Sequence, residues 1–206
     1  GGRDFEWRGV SSGNVLERNN PMSDHVKGPL SGISVLEFSQ VIAAPFGGQF
    51  LAEMGAEVTK VEPPTGDSWR HQLSFAPGES RSFQGLNRGK RDITLALDSP
   101  EAQAIVHKIV RKSDVVLINY RPDVPARMQI DYETLRQINP AVVYADLTAF
   151  GRRGPWAMRP GYDGVVQAVT GLMAGEGKLR PDGAPGTIAS TAVADYCSGM
   201  VLADAI

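Results

Sequence analysis

The sequence has 206 residues, with 21 basic and 23 acidic side chains, a formal net charge of -2 and 42% hydrophobic residues. This balance is that of an ordinary globular protein and shows no bias toward nucleic acid or an anionic membrane as a partner. The single cysteine, Cys197, rules out a disulfide within the sequence, leaves no cysteine cluster for a metal and suits a reducing cytoplasm. No apolar run approaches the roughly 20 residues that a membrane-spanning helix needs.

The two ends of the sequence differ from the rest. Gly1 to Lys27 is polar and lacks the apolar core of a signal peptide. We therefore predict that residues 1–29 form a disordered polar arm and that the folded domain covers residues 30–206. A predicted helix from Tyr196 is still running at Ile206, with no cap or tail after it. This suggests that the sequence is truncated.

Residues 35–64 carry the clearest structural pattern. They predict a buried strand at 35–38, a turn of small residues at 43–48, a helix at 49–54 with Gly55 after its C-terminus, and a return strand at 57–61. A parallel return strand needs such a crossover, so the stretch is a βαβ unit and the start of a doubly wound sheet. The turn lacks G-x-G-x-x-G, so the usual reason to propose a bound dinucleotide is missing.

The rest of the sequence continues the alternation of strands and helices. Residues 65–89 are predicted to be a long loop that can include a helical turn. Beyond it the pattern predicts strands at 91–97, 114–119 and 142–147, and helices at 100–112, 124–128, 132–138 and 196–206. Ser99 and Pro100 mark the start of the first of these helices as its N-cap and first residue. We therefore predict an α/β fold with a Rossmann-like parallel sheet flanked by helices.

Ligands of such sheets bind beyond the carboxyl ends of the strands, which here are residues 39–42, 119–122 and 148–151. Basic side chains are concentrated near these ends, and arginine is suited to bidentate phosphate contacts. They are Arg88, Lys90, Arg91, Arg121 and Arg127. Together they indicate an anionic, phosphate-bearing ligand, although each alone is more typical of solvated surface charge.

Several motifs, in this order, resemble those of class III CoA-transferases. This CaiB/BaiF-type family includes formyl-CoA and carnitine CoA-transferases and α-methylacyl-CoA racemase. The motifs lie at residues 35–38, 44–45, 51–62, 87–93, 114–122, 161–163 and 194–200, so the resemblance covers the chain from about residue 30 to its end. It implies a large Rossmann-like CoA-binding domain, incomplete in this sequence, together with a small domain and a C-terminal return that the sequence lacks. It also implies a homodimer whose two chains interlock.

The resemblance also implies the reaction and its residues. Asp195 matches the catalytic aspartate, and the substrates would be an acyl-CoA and a small carboxylic acid, with no permanently bound cofactor and no metal. One position departs from the pattern, because Pro63 stands where some relatives have an arginine; Arg88 or Arg70 are candidates to replace it. The positions that match CoA-binding residues are Ile42, Ala43, Leu86, Asn87, Arg88, Lys90, Asn119, Tyr120, Arg121, Arg127, Thr148, Ala149, Phe150 and Gly151.

Asp195 has a physical argument of its own. It follows a small, β-prone run at Thr187–Thr191 and stands at the opening of the last predicted helix. A helix N-terminus favours an ionised carboxylate by up to ~1 kcal/mol, so we expect Asp195 to be charged at neutral pH. An ionised carboxylate can attack a thioester and form an aspartyl anhydride, which CoA converts to an aspartyl-CoA thioester. The alternative role is that of a helix N-cap only.

Two other functions remain open on sequence alone. A racemase of this family needs a base on each face of its substrate and carries a histidine where this chain has Tyr162, a poor substitute with an ordinary pKa of about 10. The histidines, His25, His71 and His107, lie elsewhere in the sequence. The second alternative is a non-catalytic nucleotide-binding module in which Glu62 holds a ribose.

Overall fold

The computed structural model describes residues 28–72, 74–76 and 79–206, so nearly all of the predicted N-terminal arm lies outside the described residues. The strands are β1 (Ser34–Phe38), β2 (Glu57–Glu62), β3 (Ser74–Ala76), β4 (Glu79–Ser80), β5 (Arg91–Thr94), β6 (Val115–Ile118) and β7 (Val143–Asp146). Five of them form a parallel sheet in the order β5-β2-β1-β6-β7, and β3 pairs with β4 in a short antiparallel hairpin. The predicted α/β class and the opening βαβ unit are confirmed.

Helices cover both faces of the sheet. They are α1 (Ala43–Glu53), α2 (Arg81–Asn87), α3 (Pro100–Val110), α4 (Val124–Arg127), α5 (Tyr132–Ile138), α6 (Asp163–Val169), α7 (Leu172–Gly175) and α8 (Val193–Asp204). On one face, Leu36 and Phe38 of β1 share a core with α3 and α5. On the other, Val35 of β1 shares a core with α1 and α8. The side chains of a buried parallel strand alternate between two apolar layers, which is why β6 is apolar throughout and β1 is apolar except at Ser34 and Glu37.

Several local signals in the sequence correctly marked element ends. The hydroxyl of Ser99 accepts a hydrogen bond from the Ala102 N–H, and Pro100 opens α3. Gly55 follows α1 with a φ of 101°, a conformation that glycine adopts without strain. Helix α5 has the predicted bounds.

Helix α1 begins at Ala43, so the prediction of a turn over residues 43–48 was wrong. Its small residues serve close packing between elements. A Cβ on Gly47 would lie 2.9 Å from the carbonyl oxygen of Gly199 in α8, and one on Gly48 would lie 1.9 Å from the Glu37 carboxylate. Since only glycine allows such approaches, composition alone made this helical turn look like a loop.

The prediction of a long loop over residues 65–89 was also wrong. A 3-10 turn at Ser68–His71, the β3–β4 hairpin and α2 occupy much of it. Two side-chain caps begin the helical pieces: Asp67 accepts from the Trp69 N–H at 2.9 Å, and Ser80 accepts from the Phe83 N–H at 2.9 Å. Conversely, Thr187–Thr191 forms no strand.

Three consecutive helices carry exposed large apolar side chains. They are Val165 and Val169 of α6, Leu172 of α7, and Met200 and Val201 of α8. Among the described residues, the structure has no helix with the length and apolar character to span a bilayer.

Candidate active site

A cavity of about 920 Å³ opens at the carboxyl ends of the strands. The strand order reverses between β1 and β6, and the crevice at such a switch point is the usual ligand site of an open α/β sheet. The cavity is lined by residues 40–43 after β1, 63–65 after β2, 95–98 after β5, 119–122 after β6, and 147–149 after β7, with further contributions from α4, residues 159–162, α6 and α8.

The switch point is held together by side chains that bind backbone. The Asn119 amide accepts from the Gln40 N–H at 3.0 Å and donates to the Gln40 carbonyl at 2.9 Å. The next residue, Val41, has a φ of 72°, which is strained for a β-branched side chain. Its N–H lies 3.3 Å from Oδ1 of Asp67, which accepts it. The segment after β1 is thus fixed from two sides.

Beneath this segment lies a buried ionic network. Nζ of Lys60 lies 3.3 Å from Oε1 of Glu37 and 3.1 Å from Oδ2 of Asp67, and donates to the Ser39 carbonyl at 2.8 Å. Nζ of Lys90 lies 2.9 Å from Oε2 of Glu37 and donates to the Pro45 carbonyl at 2.7 Å. Since these charges are almost fully buried, they satisfy one another and the backbone at the start of α1.

The pKa values of this network follow from burial and pairing. Burial alone would raise the pKa of Glu37, but Lys90 and Lys60 outweigh it and hold that pKa below its ordinary value. Burial lowers the pKa of Lys90 to about 8, although Glu37 acts in the opposite direction. Lys90, predicted to bind CoA, therefore has partners inside the fold and does not line the cavity.

Three arginines do line the cavity. Arg121 and Arg127, both predicted, lie after β6 and in the last turn of α4, and Arg121 is 3.7 Å from Asp123. Arg159 was not predicted, and its guanidinium stacks 4.9 Å from the ring centre of Trp156. Its position two residues before the Gly161-Tyr162-Asp163 motif was the available signal.

The expected convergence of the basic residues on one cleft holds for Arg121 and Arg127 only. Arg88 is paired with Glu53 at 2.7 Å and lines a second cavity of about 500 Å³ with Asn87. Arg91 is exposed and lies 3.7 Å from Glu57. Arg70 binds Glu62 and Asp92, so neither proposed substitute for the arginine missing at Pro63 reaches the main cavity.

The other predicted CoA-binding residues also divide into those that line the main cavity and those that do not. Those that line the main cavity are Ile42, Ala43, Asn119, Tyr120, Thr148 and Ala149. Leu86 is buried in α2, and Phe150 and Gly151 lie just beyond Ala149, where the Phe150 ring packs edge-on against Trp156 at 5.4 Å. Burial raises the pKa of Tyr120 to about 12, so its phenol is protonated at neutral pH and can donate to a ligand.

Asp195 lies on the cavity wall in the first turn of α8. The helix begins at Val193, so Asp195 is its third residue and not its N-cap. Burial, followed by the negative charge of Asp163, raises the pKa of Asp195 to about 6. Asp195 is still mainly ionised at neutral pH, as expected from the sequence. Its pKa is nevertheless raised and not lowered, because desolvation outweighs the modest effect of a helix N-terminus.

Close contacts with α1 fix the position of α8. A Cβ on Gly199 would lie 2.4 Å from the Ala43 carbonyl oxygen, and the rings of Tyr196 and Phe46 meet edge to face at 4.7 Å. Ser198, which also lines the cavity, donates its hydroxyl to the Asp195 carbonyl at 3.1 Å. In the part of the chain that the structure describes, no cluster of three or more His, Cys, Asp or Glu side chains could hold a metal ion.

The chain is similar to known proteins of one family. The family model for CoA-transferase family III matches residues 30–206. The chain is 44% identical over 188 residues to a succinate–glutarate CoA-transferase of Agrobacterium fabrum, covering 87% of this chain and 46% of that protein. It is 40% identical over 177 residues to an acetyl-CoA:oxalate CoA-transferase of Acetobacter aceti, covering 85% of this chain and 45% of that protein.

Solved structures show the same relationship. The crystal structure of a CaiB/BaiF family protein from Brucella suis matches with a TM-score of 0.76 and 36% sequence identity, over 87% of this chain and 48% of that one. The chain thus spans about half the length of the relatives that it matches.

Proposed function

Because the chain belongs to CoA-transferase family III, we propose that the protein moves CoA from an acyl-CoA donor to a carboxylic acid acceptor, with Asp195 as the nucleophile. The observation that carries the proposal is that Asp195 lines the same switch-point cavity as Arg121 and Arg127. The two arginines suit the phosphates of CoA, and Asp195 suits its thioester.

The cavity offers CoA a set of contacts that differ in chemistry. Arg121 and Arg127 supply positive charge, Tyr120 and Asn119 supply polar groups, and the remaining predicted residues, Ile42, Ala43, Thr148 and Ala149, supply a mainly small-residue wall. We assign no direct CoA contact to Lys90, because its ammonium group is occupied by Glu37 and backbone. Leu86, Asn87, Arg88, Phe150 and Gly151 lie outside this wall.

Transfer would proceed in four exchanges at one carboxylate. The Asp195 carboxylate attacks the thioester carbonyl and expels CoA thiolate, leaving an acyl-aspartyl anhydride. The thiolate attacks the aspartyl carbonyl and releases the donor acid as a carboxylate. The acceptor carboxylate then attacks the aspartyl-CoA thioester and forms a second anhydride, from which the thiolate takes the new acyl group. Each step is an acyl transfer, and Asp195 is regenerated at the end.

The charge state of Asp195 fits this role. With a pKa of about 6, it is ionised at neutral pH and more basic than an ordinary aspartate, which strengthens it as a nucleophile. Both the anhydride and the aspartyl thioester are open to hydrolysis, so the intermediates need a site that excludes water.

The two alternatives have less support. The racemase position holds Tyr162, and neither His71 nor His107 lines the cavity, so the described residues place no histidine beside Asp195 to act as a second base. A binding module without catalysis leaves unexplained why a carboxylate of raised pKa faces the cavity.

The acceptor is proposed to be a small carboxylic acid. The relatives named above act, by their names, on succinate and glutarate and on oxalate, so short dicarboxylic acids are the first acceptors to test.

The test uses the full-length protein, incubated with a panel of acyl-CoAs and carboxylic acids and analysed by mass spectrometry. We expect the wild type to produce a new acyl-CoA. Asp195→Ala should produce none, although it should bind CoA as well as the wild type does. Hydroxylamine added during turnover should modify the peptide that contains Asp195 in the wild type only. Substantial transfer by Asp195→Ala, or racemisation without transfer, would overturn the proposal.

A further inference from the structure

The helix that presents Asp195 to the cavity is capped from another helix. Oδ1 of Asp163, the first residue of α6, accepts the N–H of Ala194 at 2.7 Å and that of Asp195 at 3.4 Å. Ala192, at the N-cap position of α8, makes no side-chain cap hydrogen bond. The first N–H groups of a helix lack partners within it, and the N-cap side chain ordinarily accepts from the second or third residue. Asp163 of α6 therefore supplies the N-terminal cap of α8 that Ala192 cannot supply.

The other oxygen of the Asp163 carboxylate is held by Gln167, one turn further along α6. Its Nε2 donates to Oδ2 of Asp163 at 2.5 Å, and its Oε1 accepts the N–H of Ile188 at 2.9 Å. Gln167 is 0% exposed. The pair thus ties together α6, the segment that leads into α8, and the first turn of α8. The Asp163 carboxylate cannot rotate without breaking these hydrogen bonds.

We propose that Asp163 is a positioning residue for Asp195: it fixes the backbone at the start of α8 and so sets where the Asp195 carboxylate meets a bound thioester. The inference rests on the proposed function of Asp195. Attack on a carbonyl requires the reacting atoms at about 3–3.5 Å, and a displacement of about 1 Å can cost on the order of a hundredfold in rate. A cap that binds the N–H of Asp195 itself acts directly on that distance.

Asp163 also places a negative charge beside the nucleophile. Other charged or titratable groups on the surrounding elements are Tyr196 and Cys197 of α8, Tyr162 at the start of α6, Glu53 at the far end of α1, and Arg121, Arg127 and Arg159 on the wall of the same cavity. Burial is the main cause of the raised pKa of Asp195, and the negative charge of Asp163 is the second cause. Asp163 therefore fixes the position of the nucleophile and adds to its basicity.

Two substitutions in the full-length protein separate these effects. Asp163→Asn keeps a carbonyl oxygen for the cap and removes the charge together with the acceptor for Gln167, whereas Asp163→Ala removes the cap as well. We expect Asp163→Ala to lower kcat by about tenfold to a hundredfold with little change in the KM for acyl-CoA. Asp163→Asn should keep most of kcat and move the acid limb of its pH profile to lower pH, because the pKa of Asp195 falls when the neighbouring charge is removed. Asp204→Asn, at the exposed end of α8, is the control and should change neither.

The outcomes distinguish this inference from the proposed function. The role of Asp163 is overturned if Asp163→Ala has the kcat of the wild type, or if Asp163→Asn has an unshifted pH profile. Neither result affects the proposed function, because the wild type still carries out transfer. If Asp163→Ala does not fold, the pH profile of Asp163→Asn decides. If wild type shows no transfer, or Asp195→Ala retains it, the proposed function fails and the role of Asp163 fails with it.

Discussion

Asn119 and Gln40 join the carboxyl ends of β6 and β1 through two hydrogen bonds between one side-chain amide and one residue's backbone. The pair lies at the reversal of strand order, directly on the cavity wall. Asn139 makes a comparable set of contacts after α5, where its amide nitrogen donates to the carbonyls of Val110 and Ser113. Asn119 and Asn139 thus form a matched pair of backbone-binding asparagines, the first at the cavity and the second away from it.

This difference gives the first prediction. In the full-length protein, Asn119→Ala and Asn139→Ala should each lower the free energy of unfolding by about 1–3 kcal/mol, because buried backbone groups lose their partners. Only Asn119→Ala should also raise the KM for acyl-CoA, by severalfold in steady-state assays. An equal effect of both substitutions on KM would mean that Asn119 has no special part in shaping the cavity.

The second prediction concerns the pH dependence of stability at Asp195. Its pKa is about 6 in the folded protein and near 3.8 when unfolded, so the folded state holds its proton more strongly. The contribution of this group to stability is fully present below pH 4 and is lost as the pH rises through 6. Asp195→Asn should therefore raise the melting temperature at pH 8, and the gain should shrink as the pH is lowered through 6. Calorimetry of both proteins across that range checks this, and a gain independent of pH would contradict it.

The third prediction concerns the buried ionic network under α1. Lys60→Met leaves Glu37 and Asp67 without one of their cations, and breaking a buried pair in this way costs about 3–5 kcal/mol. Adding Glu37→Gln should cost less than the sum of the two single changes, since Asp67 and Lys90 then remain as one anion and one cation and the site is neutral again. The exposed pair of Arg91 and Glu57 is the control, and Arg91→Met should cost under about 1 kcal/mol in denaturant unfolding.

The fourth prediction compares two helical glycines. A Cβ at Gly199 would lie 2.4 Å from the Ala43 carbonyl oxygen, whereas one at Gly85 in α2 meets nothing within 4 Å. Gly199→Ala should force α8 away from α1, lowering both the melting temperature and the rate of transfer. Gly85→Ala should be neutral or stabilising by up to about 1 kcal/mol, because it only restricts the unfolded chain. Equal melting temperatures for the two variants would show that α8 tolerates the displacement.

The fifth prediction is that the 206-residue chain expressed alone shows no transfer, and that it aggregates or melts at a lower temperature than the full-length protein. It spans about half the length of its relatives and exposes large apolar side chains on α6, α7 and α8. Such surfaces ordinarily pack against other protein, which here would be the remainder of a longer chain and a partner copy. Light scattering and a transfer assay test this, and a monodisperse active monomer would contradict both the expectation of a further small domain and that of an interlocked dimer.

Much of the sheet could be predicted because its signals are local. Strands such as Val115–Ile118 are short apolar runs, and Ser99, Pro100 and Gly55 mark helix ends by their own backbone preferences. The start of helix α1 was predicted wrongly because Gly47 and Gly48 are needed for close contacts with other elements, and the residues they contact are distant in sequence.

The site was predicted less completely, for the same reason. Asp195, Arg121 and Arg127 follow from motifs, but Lys90 turned inward to Glu37 and Arg159 was missed. A lysine inside an apolar strand, as at Lys60, does signal a buried acidic partner, yet nothing local indicates that Asp67 is one of them. Likewise, Asp163 caps a helix whose own sequence at Ala192 offers no cap.

The contact of Gly47 with Gly199 has a consequence for biosynthesis. It joins the first helix of the described chain to the last, and α8 supplies part of the core over one face of the sheet. A ribosome releases β1 and α1 long before α8, so that face of the nascent sheet is covered by α1 only, and thus in part, until the helix bearing Asp195 emerges. Contacts between such distant segments also slow folding, which makes this interval the period of greatest exposure to aggregation and to chaperones.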